Sequence, residues 1–396
     1  MPSDASDPGY QPPGQTAEQG VGAEPPIRAG GSSAAAADPS TAAADPPTAA
    51  ADPPTAAADP STAAADPSAA AVFPNARRER GMYESFYLRA VDPRQPRGVW
   101  IRYTVHKRPG AEPLASLWLT YFDAEWTAPV MQKLTTPQLA VPADGWIAIG
   151  TDAELGPGRA VGECGGVRWS LRIHAPEPPL RHLPRAWMYR AALPRTKLTS
   201  PAPAASFAGT LELPEAAGRP GRSVALDGWR GMVGHNWGTE HAERWIWLHG
   251  VCFAEDPDAW LDVAIGRIRV AGRSTPWVAN GALALDGERY RLGGLAARGL
   301  LVAETPRHCR LSLPGPGGLV VQAHVDSPTG SIAGWRYADP DGAGHEVANC
   351  SIAALALTVQ RPGKAARTLR SDHGAAYELG MRESDHGVPL APFVDG

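Results

Sequence analysis

One window of the chain, residues 234–250, concentrates side chains that transfer protons or contact flat apolar ligands. Its sequence is GHNWGTEHAERWIWLHG, and Trp260-Leu261-Asp262 follows shortly after it. Imidazole and carboxyl groups donate and accept protons in catalysis, and indole faces stabilise cations. Such a set could protonate an alkene to a carbocation. Attack by water would then make the protein a hydratase, and attack by an internal hydroxyl would make it a cyclase.

Strand geometry groups these residues by face, because side chains two positions apart on a strand point the same way. The groups are His235 with Trp237, then Trp245 with Trp247 and His249, then Trp260 with Asp262. If these faces line the interior of a barrel, we predict Asp262 as the catalytic acid and His235 as its hydrogen-bonded partner or as the base. The other five residues are predicted to bind substrate. A carboxyl group among indoles is expected to have a raised pKa, which would keep it protonated.

Other interpretations of the same window stay open. Tryptophans fill many β cores, and a buried Asp–His pair can simply anchor a loop. Metal binding is the rival chemistry, since His235, Glu240, His241 and His249 are all ligand types. Their spacing matches neither H-E-x-x-H nor another familiar zinc pattern. We therefore predict no metal ion and no organic cofactor.

The first 72 residues differ in composition from the rest of the chain. Asp-Pro recurs every seven residues from Asp38 to Asp66, and all thirteen tryptophans lie at or after Trp100. A proline in each repeat excludes a coiled coil, and a segment poor in large apolar residues cannot offset its ordering entropy. We predict that residues 1–72 are a disordered spacer. It has nine acidic residues and one basic residue, which leaves the remainder only slightly basic and unlike a nucleic-acid binder.

Cysteine usage and hydropathy bear on the cellular compartment. The four cysteines lie far apart in the sequence, without Cys-x-x-Cys spacing, which argues against a zinc knuckle or a dense disulfide scaffold. The N-terminus has no basic start followed by an apolar stretch, and no apolar run reaches 18 residues. We expect a cytoplasmic protein without a transmembrane segment, for which peripheral contact with a membrane stays open.

From Phe73 onward the pattern predicts β-structure. Short apolar or alternating runs rich in Trp, Val, Ile and Tyr predict strands at Val99–Thr104, Ser116–Phe122, Trp146–Ile149, Val167–Ile173, Arg244–His249 and Ala259–Val270. Between such runs stand Asp-Gly and Asn-Gly pairs, which suit tight hairpins, at Asp144, Asp227, Asn280, Asp286 and Asp341. No convincing helical stripe interrupts them. The predicted fold is all-β, with two tandem lipocalin-like barrel or sandwich domains.

A proline-rich passage from Pro176 to Pro203 suggests where the chain crosses between the two domains. We place an N-terminal β domain at residues 73–200 and a C-terminal β domain, with the GHNWG motif, at residues 201–396. The basic residues in the crossing, from Arg181 to Lys197, are interpreted as a solvated rim that an anionic substrate tail could touch.

The motif GHNWG, followed by W-x-W and later by W-x-D, resembles the lipocalin-like superfamily of carotenoid hydratases (hydroxyneurosporene synthase) and tocopherol cyclases. Earlier stretches, such as Trp100-Ile101-Arg102-Tyr103-Thr104 and Pro194-Arg195-Thr196-Lys197, resemble uncharacterised bacterial relatives. The resemblance implies that two motif pairs line the site, namely His235 with Trp237 and Trp260 with Asp262, and that the aspartate donates the proton. Trp260 stands where the hydratases have a tyrosine.

These considerations leave three functional hypotheses. The first is a cofactor-independent hydratase, cyclase or isomerase that acts on an isoprenoid or polyketide-like molecule in a tryptophan-lined pocket. The second is a non-catalytic lipocalin-like carrier of hydrophobic ligands. The third is a structural protein whose barrels are filled by their own side chains. An enzyme needs Asp262 as an ionisable acid, whereas a carrier needs only shape and apolar surface.

Overall fold

The computed structural model describes residues 70–216, 219–270, 272–294, 297–382 and 386–393. Within these ranges the regular structure is β-strand, with no α-helix and four short 3-10 turns at Phe73–Asn75, Ala186–Tyr189, Pro316–Gly318 and Thr329–Ser331. The all-β, lipocalin-like prediction is confirmed. The repeat-containing stretch up to residue 69 lies outside the described residues, so the spacer stays a prediction.

The first sheet contains twelve antiparallel strands and rolls up until β3 and β4 come back against β8. Its strands are β1 Met82–Val91, β2 Arg97–Lys107, β3 Leu114–Asp123, β4 Val130–Thr136, β5 Leu139–Ala140, β6 Ile147–Ile149, β7 Ala153–Gly156, β8 Arg159–Cys164, β9 Val167–His174, β10 Leu180–Arg181, β11 Thr196–Leu213 and β12 Arg222–Gly238. The pairing of β1 with β12 joins the two ends of this part of the chain.

The second sheet has ten strands and curves over its own apolar core. Its strands are β13 Arg244–Gly250, β14 Trp260–Arg267, β17 Val278–Leu285, β18 Glu288–Gly293, β19 Leu301–Glu304, β20 His308–Pro314, β21 Val320–Asp326, β22 Ala333–Ala338, β23 Gly344–Gln360 and β24 Arg367–Met381. A separate small ribbon pairs β15 Arg269–Val270 with β16 Arg273–Ser274. The chain leaves the first sheet at Gly238 and joins the second at Arg244. The division into folding domains at 200/201 stays a prediction.

The predicted strands are confirmed, each within a few residues of its observed bounds. The long apolar runs arise because the central strands are buried on both faces, which gives continuous rather than alternating hydrophobicity. All ten residues of β1 are buried. Its even positions, such as Phe86 and Leu88, pack inside the first sheet, whereas odd positions such as Arg89 contact the second sheet.

The two sheets therefore stack, with β1 and β2 of the first against β23 and β24 of the second, and β10 and β11 against β17 and β14. We call the side-chain layer between them the seam. It is unusually polar for a buried layer, and groups such as Arg89, His249 and Asp262 are fully buried in it. Because burying a polar group without a partner is costly, the seam is where hydrogen-bond partners need to be identified.

The described residues also bear on the compartment predictions. Among them, no helix has the length and apolar character needed to cross a membrane. The four cysteines are free thiols, and three of them are buried.

Candidate functional site

The tryptophans and Asp262 of the second sheet share one face. On the antiparallel pair β13–β14, His249 lies opposite Asp262 and Trp247 lies opposite Ala264, so these side chains project together. The intervening residues, among them Ile246 and Leu248, pack in the core of the second sheet. The rule that side chains two positions apart on a strand share a face predicted this grouping. The expectation that the face lines a barrel lumen is wrong, because it looks across the seam at the first sheet.

His235 and Trp237 lie on a different surface. In the β1–β12 register, His235 is opposite Phe86 and Trp237 is opposite Glu84, on the inner side of the first sheet. The His235 ring stacks on Phe86 at 3.9 Å and on Trp237 at 4.5 Å between centroids, and its Nε2 is 2.8 Å from Oε1 of Glu84. The predicted pairing of His235 with Asp262 is therefore corrected: the imidazole pairs with Glu84. The chain changes sheets between the two motifs, so closeness in sequence does not become closeness in space.

Glu84 explains the His235 position without catalysis. Besides His235, its carboxylate accepts hydrogen bonds from the backbone N–H groups of Val72 at 2.8 Å and Phe73 at 2.7 Å. Those two residues begin the first 3-10 turn. A buried carboxylate with three donors is well satisfied, and here it fixes the start of the folded chain to the interior of the first sheet.

Asp262 is the centre of a buried cluster that both sheets build. The Ser200 hydroxyl of β11 donates to Oδ2 at 2.5 Å, and Nε2 of His182 lies 3.3 Å from the same oxygen. The Trp247 indole N–H donates to Oδ1 at 3.2 Å. Nδ1 of His182 lies 3.0 Å from the Asn280 main-chain carbonyl. Both nitrogens of His182 thus face oxygen atoms, and Nε2 also lies 3.2 Å from the Ser200 hydroxyl.

The charge state of Asp262 differs from the expectation. Burial raises the pKa of its carboxyl group, but the nearby charge of His182 and the hydrogen bonds from His182 and Ser200 outweigh burial and leave the pKa below its usual value. The predicted raised pKa is therefore wrong. Asp262 is a carboxylate held against an imidazole.

His182 was missed as a site residue. Its sequence context, Arg-His-Leu-Pro-Arg in the proline-rich crossing, suggests an exposed basic rim. In the structure the two-residue strand β10 pairs with β11 and turns the His182 side chain into the seam, where 1% of the residue is exposed. Arg291 holds this segment in place by donating to the main-chain carbonyls of Arg181 at 3.0 Å and His182 at 2.8 Å. Nothing in the local sequence specifies that contact.

His249, a predicted substrate-binding residue, lies beside a buried cation. Nη1 of Arg89 is 3.0 Å from Nδ1 of His249, and the same guanidinium donates to the carbonyls of Gly374 and Ser351. Nε2 of His249 donates to the Pro203 carbonyl at 3.0 Å. Burial and the Arg89 charge lower the pKa of His249 to about 4, so the imidazole is neutral at physiological pH. Burial lowers the pKa of Arg89 to about 10, which leaves it protonated.

Each tryptophan of the predicted pocket has a defined packing or hydrogen-bonding contact. Trp247 meets the Tyr87 ring edge-on at 5.3 Å. Trp245 donates its indole N–H to Glu378 at 3.0 Å. The Trp260 ring lies 4.9 Å from the guanidinium of Arg289.

Two glycines make room for these rings. A Cβ on Gly234 would lie 2.2 Å from Cζ of Tyr87, and a Cβ on Gly380 would lie 2.0 Å from a carbon of the Trp245 indole. Real Cβ atoms do not approach so closely, so at these positions a larger residue would displace an aromatic ring of the seam.

Two cavities bear on the predicted pocket. A cavity of about 20 Å³ lies between Tyr83, Arg102, His241 and Tyr337, which is room for about one water molecule. A larger cavity, about 370 Å³, is lined by residues of β20, β21, β23 and β24 and by none of the predicted site residues. The aromatic face predicted to surround a ligand is thus closed by contact between the sheets.

The four metal-ligand types weighed in the sequence do not assemble with one another. Among the described residues, His241 alone of the four belongs to a group of three potential ligands, with Asp339 and His345. His235 and His249 lie in the separate environments described above.

These features define an all-β protein class in which two lipocalin-like sheets stack and bury polar groups between them. No family model matches the chain. Two uncharacterised proteins of Mycobacterium tuberculosis, MT0513 of strain CDC 1551 / Oshkosh and Rv0493c of strain H37Rv, are each 29% identical to it over 265 residues, covering 66% of this chain and 77% of the relative.

Among solved structures, CghA and its complex with Sch210972 share the fold, with TM-scores of 0.52 and 0.51 at 12% identity over 76% of this chain and 88% of CghA. Kievitone hydratase from Nectria haematococca gives a TM-score of 0.45 at 10% identity, over 77% of this chain and 89% of the hydratase.

Proposed function

We propose that this protein binds a hydrophobic small molecule of the isoprenoid or polyketide type between its sheets and protonates it, with hydration or cyclisation of an alkene as the outcome. The observation that supports this is the fully buried cluster of Asp262, His182 and Ser200, which both sheets build. Perturbed titratable groups that converge in a buried place are candidates for acid–base catalysis. Asp262 stays a catalytic residue, as the sequence predicted, and His182 takes the place of His235 as its partner.

Stability alone gives a weak reason for such a cluster. Replacing a buried ion pair with well-packed apolar residues is often neutral or even stabilising, because desolvation of the charges costs as much as their attraction returns. The Trp247 and Tyr87 rings beside the cluster would already fill an apolar layer. An ion pair at that place is therefore better explained by proton transfer.

In the proposed reaction the cluster gives one proton and takes one back. A proton passes from the His182–Asp262 pair to one alkene carbon, and the cation forms on the other. Water adds to that carbon and returns a proton to the pair; in a cyclisation the hydroxyl of the ligand takes the place of water. The Trp247 and Tyr87 rings would stabilise the cation by roughly 0.5–2 kcal/mol each, more as water is excluded.

Ligand binding requires the seam to open, since Asp262 and Ser200 are fully buried and His182 is 1% exposed. The segment around His182 covers the cluster with little regular structure: β10 contributes two residues, and the 3-10 turn at Ala186–Tyr189 follows it. Trp187 and Leu193 on this segment are each 62% exposed. We assign ligand access to this segment, with Arg291 as the contact that must release.

The test begins with the ligand. The purified full-length protein is extracted with solvent, and any retained compound is identified by mass spectrometry. That compound is then returned to the protein in heavy water, where catalysis incorporates deuterium on carbon. Because general acid–base groups contribute about 10²–10⁴-fold, Asp262→Asn and His182→Gln should each reduce incorporation at least 100-fold while binding persists.

Asp326→Asn is the matched control, since it removes an aspartate that is 62% exposed on the second sheet. Unchanged deuterium incorporation in Asp262→Asn would refute the assignment of the cluster. A ligand that binds stoichiometrically but gains no deuterium with the unmodified protein would indicate the non-catalytic carrier instead.

A further inference from the structure

A second polar cluster lies at the other end of the seam, apart from Asp262. His241 comes from the turn between β12 and β13, Asp339 from the β22–β23 hairpin and His345 from β23. Oδ1 of Asp339 is 2.7 Å from Nδ1 of His241, and Oδ2 is 2.8 Å from Nε2 of His345. One ligand atom of each residue lies within 4.8 Å of the other two. Two imidazoles therefore converge on the two oxygens of one carboxylate.

The hydrogen bonding of this cluster is incomplete. Asp339 and His345 are fully buried, and the His241 side chain is 10% exposed. The second nitrogens, Nε2 of His241 and Nδ1 of His345, are buried without a hydrogen-bond partner. Buried polar atoms in native proteins nearly always have one. These two nitrogens lie on the far sides of the rings from Asp339, where they can hold the imidazole protons when the nitrogens that face Asp339 bind an ion.

We propose that His241, Asp339 and His345 bind one divalent first-row metal ion of the zinc class. Imidazole with carboxylate is a donor set typical of such ions. Bonds of about 2.0–2.1 Å in tetrahedral geometry separate ligand atoms by roughly 3.3 Å, so the present hydrogen bonds would lengthen by about half an ångström. The ion takes the place of the two hydrogen-bonded protons, and each imidazole, as a neutral ligand, then has its proton on the ring nitrogen that faces away from Asp339.

The fourth coordination position has a ready occupant. The cavity of about 20 Å³ in the seam is lined by His241 and by Tyr83, Arg102 and Tyr337, and it accommodates one water molecule. Three protein ligands with an exchangeable water characterise zinc sites that act on ligands, whereas structural zinc sites are closed by four protein ligands. The proposed site is therefore of the open kind, and it stands independently of the function assigned to Asp262.

The guanidinium of Arg382 lies beside the proposed metal site and should weaken its affinity for the ion. Nη2 of Arg382 lies 3.4 Å from Oδ2 of Asp339 and 3.2 Å from Oε1 of Glu240. A guanidinium so close to a ligand oxygen repels an incoming cation. Arg382→Gln should therefore tighten ion binding several-fold. A cluster that only anchors the hairpin predicts no such gain.

The experiment titrates the full-length protein with Co²⁺ after treatment with a chelator and dialysis. Visible absorption reports the coordination geometry, and calorimetry gives the stoichiometry and the affinity. We expect one ion per chain and an intense tetrahedral spectrum. His345→Ala should weaken binding at least about 100-fold, since even loss of an outer-shell partner costs 10–100-fold.

His324→Ala is the control, because this imidazole is exposed on β21. Circular dichroism checks the fold of each variant; if His345→Ala does not fold, His241→Gln, at the less buried corner, replaces it. Failure of the unmodified protein to bind one equivalent of Co²⁺ would overturn the proposal. So would equal binding by a folded His345→Ala or His241→Gln variant, or binding that disappears in His324→Ala.

Discussion

Removing the imidazole of His182 should destabilise the protein strongly and in a pH-dependent way. In His182→Ala the Asp262 carboxylate keeps its burial but loses the charge and hydrogen bond that hold its pKa below the usual value. Breaking a buried ion pair by deleting one partner costs about 3–5 kcal/mol. Burial then dominates, and the pKa of Asp262 should move above its unfolded value of about 3.9.

The direction in which the unfolding free energy changes with pH follows from the difference between the pKa of Asp262 in the folded state and in the unfolded state. With His182 present, the lowered pKa of Asp262 contributes stability that is complete above the unfolded pKa and is lost as the pH falls through the folded pKa. With His182 absent, the raised pKa destabilises the folded state at high pH, and protonation relieves this as the pH falls. The gap in unfolding free energy between the two proteins should therefore be largest at pH 7 and narrow toward pH 4.

Urea denaturation at pH 7 and pH 4.5 measures the difference in unfolding free energy between His182→Ala and the unmodified protein. His308→Ala is the control, because its partner Asp326 is 62% exposed and a surface pair is worth about 0–1 kcal/mol. The double variant His182→Leu/Asp262→Leu should recover most of the stability. A loss below about 1 kcal/mol in His182→Ala, or a gap that does not narrow with acid, would contradict the assignment of Asp262 as a buried, paired carboxylate.

Three further predictions concern the seam and its cover. Gly380→Ala places a Cβ 2.0 Å from an indole carbon and should cost about 1–3 kcal/mol in urea unfolding, whereas Gly344→Ala, with open space around it, should change stability by less than about 0.5 kcal/mol. Arg291→Ala should speed amide hydrogen exchange in the segment that contains His182 without altering exchange elsewhere, because it removes the two bonds that hold the segment. Folding lowers the pKa of His249 from 6.5 to about 4, so the free energy of unfolding should decline as the pH drops through that window. His249→Gln should remove about 3 kcal/mol of this decline. An unchanged stability–pH curve in that variant would contradict the assignment of His249 as a buried, neutral imidazole.

The strands were predictable from sequence, but the turns were predictable only in part. Asp286-Gly287 forms a hairpin turn in which both residues have positive φ, and Gly342 has φ of 94° in the β22–β23 turn. Asn280-Gly281 has the same composition yet lies inside β17. A Cβ on Gly281 would lie 2.1 Å from the Asp262 carbonyl oxygen, so this glycine permits close approach of two strands. Local sequence cannot separate these two uses of glycine.

The candidate site, too, was predictable from the sequence only in part. Period-two alternation correctly grouped Trp247 and His249 on one face, because that rule needs only the backbone. It could not tell which side of the sheet that face covers, since both faces of β13 are buried. His182 and Ser200 reach Asp262 through contacts between strands that are distant in the chain, and no spacing rule encodes those contacts.

The pairing of β1 with β12 has a consequence for how the chain acquires its structure. Tyr83 lies beside Gly238, so the first sheet cannot close until residues about 150 positions apart meet. On the ribosome, β1 must wait with its hydrogen-bonding edge exposed while all the intervening strands are synthesised. Non-local closure of this kind slows folding and lengthens the time in which an open edge can aggregate. Expression at reduced temperature or with added chaperones should therefore raise the yield of soluble protein more than any change at the site itself.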